Sequence, residues 1–178
     1  MEIKNTTKFS KEGYFTLNKA MLRRSYFVCV LLEIALAALM VYIIIKDNND
    51  IVKPIFLGIL MITYPFILGF VLSGQMKRNY NMNKAVYENM IYDYEFTDEK
   101  LKVRLTQNNQ CNEGYVTYKA MYKVIDTEKF LFVFISSNQA YIIEKSCFAS
   151  NEDIDKVISK IKEENVKYKF LKIKFSGR

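Results

Sequence analysis

The chain has 178 residues, with 26 Lys and Arg against 19 Asp and Glu for a net charge of +7, and it contains no histidine and no tryptophan. That length allows one ordinary domain at most. Without histidine the chain lacks the commonest general base, most catalytic zinc sites and every Ser-His or Cys-His nucleophile pair. Cys29, Cys111 and Cys147 are odd in number and form no C-x-x-C, so they read as free thiols in a reducing compartment.

Residues 1–24 are polar and amphipathic, with an extended piece near Glu2 to Phe9 and a helix starting near Ser10. They read as a short N-terminal segment rather than a domain. Ser25 to Ile45 and Ile55 to Leu72 follow, apolar on every face, and Glu33 is the single charge within them. A helix rising about 1.5 Å per residue needs roughly 20 apolar residues to cross a bilayer. The two runs therefore predict a transmembrane hairpin over residues 25–75, with spans 25–45 and 55–72. Lys4, Lys8, Lys11, Lys19, Arg23 and Arg24 precede the first span, and Lys77, Arg78 and Lys84 follow the second. Basic flanks stay inside, which predicts a two-span protein of the cell membrane with both termini cytoplasmic. The connection, KDNNDIVKP, would be a small external turn.

Residues 76–178 form the expected cytoplasmic domain. Gln75 to Asn89 continues as a helix, after which the period changes to two. Ile91 to Phe96 and Leu101 to Leu105 alternate as strands around a tight turn at Thr97-Asp98-Glu99-Lys100, and QNNQCNEG reads as a loop. Short apolar segments at 115–118, 121–125, 130–135 and 140–143 predict further strands, the last two joined through Ser136 to Gln139. Ser150 caps a helix over 151–164, in which Ile154, Val157, Ile158 and Ile161 form one apolar stripe to cover the sheet. VKYKFLKIKFSGR adds a basic strand and tail. The fold class is an α+β membrane protein.

The segments YEFTDEKL at 94–101 and YKAMYKVIDTEKFLFVFISSNQAYIIEKSCF at 118–148, with the helix after them, resemble the YcxB-like family of bacterial membrane proteins. The resemblance implies two close transmembrane helices and a small cytoplasmic domain related to pleckstrin-homology modules. It implies no reaction, cofactor or catalytic residue. Two positions depart from the family pattern: Tyr115 or Tyr118 stands where an aromatic, often tryptophan, is expected, and Glu144 precedes Lys145 where proline is usual.

Glu33 is the sharpest candidate, because a carboxylate in mid-span costs about 2.5–3.5 kcal/mol on insertion scales. At the same depth in an antiparallel hairpin stand Thr63 and Tyr64, which could bond it across the pair. Pro65 should kink the second span. Cys29, Glu33 and Ala37 on one helix, with Gly58, Ile62, Pro65 and Gly69 on the other, would let the two approach closely. Lys77, Arg78, Lys167, Lys169, Lys172 and Lys174 could meet anionic headgroups, worth about 1 kcal/mol each near the surface. Asp93, Glu95, Asp98 and Glu99 lack metal-loop spacing and read as a solvated face. The expected function is non-enzymatic: an interaction or regulatory module held at the inner face of the membrane, its partners the lipid bilayer and either another protein or further copies of itself. Neither nucleic acid nor a metal or other cofactor is expected. The alternative is an oligomeric transport-related or toxin-immunity protein working through Glu33.

Overall fold

The computed structural model describes residues 1–46, 52–108 and 110–173. The chain divides into two units, one formed by Met1–Ala20 together with the chain from Met82 onward, the other by Met21–Asn81.

The first unit holds eight strands among the described residues, in two sheets. Strands β1 (Ile3–Lys8), β2 (Ile91–Phe96), β3 (Lys100–Gln107) and β4 (Gln110–Thr117) lie side by side in that order, all antiparallel. Strands β5 (Lys123–Asp126), β6 (Phe130–Phe134), β7 (Ala140–Glu144) and β8 (Tyr168–Phe170) make the second sheet in the order β7-β6-β5-β8, with β8 parallel to β5. A sheet with one apolar face must cover it. Here Tyr94, Phe96, Leu101 and Val103 of the first sheet share one core with Val124, Leu131, Val133 and Ile143 of the second. Helix α4 (Asn151–Glu163) adds Val157 and Ile161, both fully buried. Burying each is worth about 1.5–3 kcal/mol, and Ser150 Oγ starts the helix by accepting from the Asp153 N–H at 3.2 Å.

Two turns use the same device. Thr97 Oγ1 donates to the Lys100 carbonyl at 2.9 Å and accepts from its N–H at 3.2 Å. Thr127 Oγ1 does the same with Phe130, at 2.8 and 3.0 Å. Each hydroxyl ties the two ends of a four-residue turn, as short polar side chains do when they bond nearby backbone.

Several features differ from the sequence reading. QNNQCNEG is not a loop: Gln107 pairs with Gln110 and β4 starts there. Asn108 takes the left-handed conformation at φ 47°, which asparagine tolerates in a tight hairpin turn. The expected single sheet is two, and its last pair is parallel. The N-terminal segment does not stand apart at residue 24. β1 is the edge of the first sheet, and helix α1 (Lys11–Lys46) begins on the second. A Cβ on Gly13 would lie 2.9 Å from Ile142 Cγ2 and 3.3 Å from Phe130 Cε1, so glycine is what lets the first turn of α1 rest on β6 and β7. Phe9 stacks on Tyr87 at 4.6 Å, and Lys129 Nζ pairs with Glu12 at 2.7 Å.

The second unit contains the rest of α1 and nearly all of α2 (Val52–Met82), which runs on through Pro65. A short helix α3 (Lys84–Tyr87) follows, so the stretch expected as one helix to Asn89 breaks after Met82. Both long helices are long and apolar enough to cross a membrane. Residues 47–51 of the expected external turn, and Lys174, lie outside the described residues.

Candidate functional site

On α1, reduced exposure falls on Cys29, Glu33, Leu36, Ala37, Met40 and Ile43. On α2 it falls on Leu57, Gly58, Met61, Tyr64, Pro65, Leu68 and Gly69. Both sets recur every three or four residues, which is one face of a helix. The residues between them are open: Phe70 is 83 % exposed and Phe66 76 %.

Glu33 and Tyr64 therefore both lie on these shielded stripes, but no hydrogen bond or ion pair joins Glu33 to another of the described residues. Thr63 is not on the stripe. Its hydroxyl turns back to its own helix, donating to the carbonyls of Ile59 at 2.9 Å and Leu60 at 3.4 Å. Short hydroxyl side chains in a helix commonly satisfy themselves this way. Ile62 is likewise off the stripe, 69 % exposed, with Met61 in its place. A Cβ on Gly58 would meet nothing within 4 Å, so that glycine marks no close approach.

Lys77 and Arg78 are exposed on the last turns of α2. In the other unit Lys167, Lys169 and Lys172 are exposed, and Lys172 has a distant acid, Glu128 at 3.9 Å.

The outer face of the first sheet is a charged concavity of about 540 Å³. Strand register orders its side chains. Lys4, Glu95, Lys102 and Tyr115 form one row across the four strands, and Thr6, Asp93, Arg104 and Glu113 the next. Opposite charges thus fall directly across from one another, the favourable arrangement for cross-strand pairs. Lys102 Nζ bonds Glu95 at 2.8 Å, Arg104 bonds Glu113 at 2.7 Å and Thr6 Oγ1 donates to Asp93 at 2.6 Å. The Lys102 bond holds the Glu95 carboxyl below its usual range. Asp98, at the β2–β3 turn, is held low by the N-terminal ammonium at 2.6 Å. Of the acidic residues that read as a solvated face, Asp98 and Glu99 are exposed and Asp93 and Glu95 half-buried, and Asp93, Glu95 and Asp98 have partners.

A buried cluster escaped sequence reasoning. Asp126, at the end of β5, is 4 % exposed. Its Oδ2 accepts from Tyr168 Oη at 2.5 Å, and its Oδ1 meets Lys145 Nζ at 2.5 Å as an ion pair outside hydrogen-bond geometry. Burial and the Asp126 charge push the Tyr168 hydroxyl well above its ordinary range. The cluster ties β8 and the turn after β7 to β5. In sequence Asp126 is merely the polar residue ending a strand, and only the parallel pairing of β8 reveals its partners.

Among the described residues no group of three or more His, Cys, Asp or Glu could hold a metal ion. No curated protein and no solved structure matches the chain. The model of the family described as YcxB-like protein matches residues 96–161, from the end of β2 into α4, and over that stretch the family resemblance read from the sequence holds.

Proposed function

We propose that this chain is a bacterial integral membrane protein whose two long helices span the cell membrane and whose α+β unit serves as a non-enzymatic interaction or regulatory module at the cytoplasmic face. The observation that carries this reading is the open apolar surface of α1 and α2. Phe27, Val28, Ile34, Ile62, Phe66 and Phe70 are all exposed, with none of the described residues covering them. In water such a continuous apolar surface far exceeds the few hundred Å² a soluble monomer leaves open; in hydrocarbon it is at home.

Sheet topology supports the two-span orientation. β1 and β2 lie on either side of the two helices in sequence and pair with each other in one sheet. They must therefore occupy the same side of any membrane, which requires an even number of crossings. The basic flanks then favour the cytoplasm for both termini, with Lys77, Arg78, Lys167, Lys169 and Lys172 available to anionic headgroups. Two small sheets closed by a C-terminal amphipathic helix support the pleckstrin-homology type.

Sodium carbonate extraction and cysteine labelling test the reading together. The full-length chain should stay in the membrane pellet at high pH. In a variant with its native cysteines replaced, a cysteine at Asn48 should react with an impermeant maleimide in intact cells, whereas one at Cys111 should react only after lysis. Release by carbonate, or labelling of position 111 from outside, would overturn it.

One observation favours a second reading. Glu33 lies in mid-helix with no bond to another described residue. A polar group in hydrocarbon gains by finding a partner on another helix, which suits oligomeric hairpins of a transport-related or toxin-immunity protein. Loss of detergent-stable oligomers in Glu33→Leu would support it, and unchanged oligomers would sink it.

A further inference from the structure

Sheet edges invite pairing, and proteins guard them with lysine, proline, bulges, short strands or covering elements. Three of the four edges in this unit are guarded. β7 has both backbone groups of Glu144 occupied, its N–H donating to Thr7 Oγ1 at 3.0 Å and its carbonyl accepting from Asn5 Nδ2 at 2.9 Å. β8 is three residues long with Lys169 at its centre, and β1 carries Lys4 and Lys8. β4 has none of these devices. It runs eight residues, QCNEGYVT, without Lys, Arg or Pro, and pairs with β3 from Thr117 to Gln110 without a bulge. It is exposed along almost its whole length, and Tyr115 is 67 % exposed.

The direction of its backbone groups follows from the register. Only two residues separate Gln107 from Gln110, so these close the hairpin as a hydrogen-bonded pair. Bonded and non-bonded pairs alternate. Asn112, Gly114 and Val116 therefore bond β3, while Cys111, Glu113, Tyr115 and Thr117 turn their N–H and C=O outward.

We propose that β4 pairs antiparallel with β4 of a second copy of this chain about a two-fold axis at Gly114, joining two four-stranded sheets into one of eight. The inference concerns this unit alone and stands whether or not the helices span a membrane. Directly opposed residues must share a sheet face, so the axis of a symmetric pair passes through a residue. An axis at Glu113 would oppose two carboxylates, which is destabilising. An axis at Tyr115 would pair only from Glu113 to Thr117. The axis at Gly114 pairs from Cys111 to Thr117 and sets each Glu113 opposite Tyr115 of the other copy. The ring of Tyr115 already lies under Lys100 Nζ at 4.7 Å, and Lys102 is its neighbour in register. The single charge on β4 thus meets a cationic corner. At the axis, a Cβ on Gly114 would touch nothing within 4 Å, leaving room for the other strand.

Disulfide trapping of the full-length chain, with all three cysteines replaced by serine, tests both pairing and register. Gly114→Cys places two thiols at the axis and should give a disulfide-linked dimer on mild oxidation, at least tenfold faster than Asn112→Cys, whose opposite residue is Val116. Adding Val116→Cys to Asn112→Cys should restore the dimer. Tyr115→Pro removes an outward N–H, which an edge strand tolerates. It should cut the Gly114→Cys cross-link at least tenfold while leaving the circular dichroism spectrum unchanged. A Gly114→Cys chain that stays monomeric, cross-links no faster than Asn112→Cys, or is joined to a different protein overturns the proposal. So does a folded Tyr115→Pro variant that cross-links undiminished.

Discussion

Lys145 Nζ stands 2.5 Å from Asp126 Oδ1, with side chains only 17 % and 5 % exposed. Charges so far from water are tolerated because each answers the other, and removing one leaves the other without compensation. Asp126→Ala should therefore destabilise the α+β unit by about 3–5 kcal/mol in denaturant titrations followed by near-ultraviolet circular dichroism. The double variant Asp126→Leu, Lys145→Met should recover most of that loss. A double variant no better than the single would show that the pair contributes more than the absence of a stranded charge.

Alkaline pH should weaken the same unit. Tyr118 is pushed up to about 12, mainly by burial, and its hydroxyl donates to the Thr97 carbonyl at 2.8 Å. Tyr94, donating to the Ile142 carbonyl at 3.0 Å, is raised well above its ordinary value, again mainly by burial. A hydroxyl raised in the folded state favours folding while protonated. That contribution is full below the unfolded value of about 10 and is lost as pH climbs from there through the folded value. Unfolding midpoints should hold steady from pH 7 to 9 and fall between about pH 10 and 12. Tyr118→Phe should flatten part of that decline.

Gly13→Ala should be harmful although alanine favours helix. The added Cβ would press on Ile142 Cγ2 at 2.9 Å, and a β-branched neighbour yields poorly. A loss of about 1–3 kcal/mol is expected for such overpacking. Faster hydrogen exchange at the start of α1, with α4 unchanged, would place the damage there.

At the other helix start, Ser150→Ala should cost about 1 kcal/mol by freeing the Asp153 N–H. Ser150→Asp should restore most of it. Equal stability of the alanine variant would mean water replaces the cap fully.

Elements with strong local signals were legible in the sequence. The apolar runs of α1 and α2, the Ser150 cap and the stripe through Val157 and Ile161 all depend on neighbours within a few residues. What depended on distant partners was not. The first part of β4, Gln110 to Gly114, looked like a loop because an exposed edge strand needs no apolar face, and its polar side chains carry no period-two signal. β1 looked like a stray N-terminal segment because its partner, β2, lies beyond both long helices. Thr63 seemed available to Glu33 by depth, but depth does not fix which way a side chain faces around the helix axis. The Asp126 cluster required knowing that β8 returns beside β5.

The pairing of β1 with β2 also imposes an order on synthesis. Thr6 and Asp93 are bonded but 87 residues apart in sequence, about 4 to 17 s of translation at roughly 5–20 residues per second. The first strand made must wait through the emergence of two greasy helices before its neighbour exists. Until then Asn5 and Thr7, which become some of the most deeply buried polar residues, remain in water. If the two helices span a membrane as proposed, the sheet can be completed only once both have crossed, because β1 and β2 must then lie on one side. A chain in which β1 and β2 ended on opposite sides would leave β2 with an unpaired edge, the kind of edge that invites pairing with another chain.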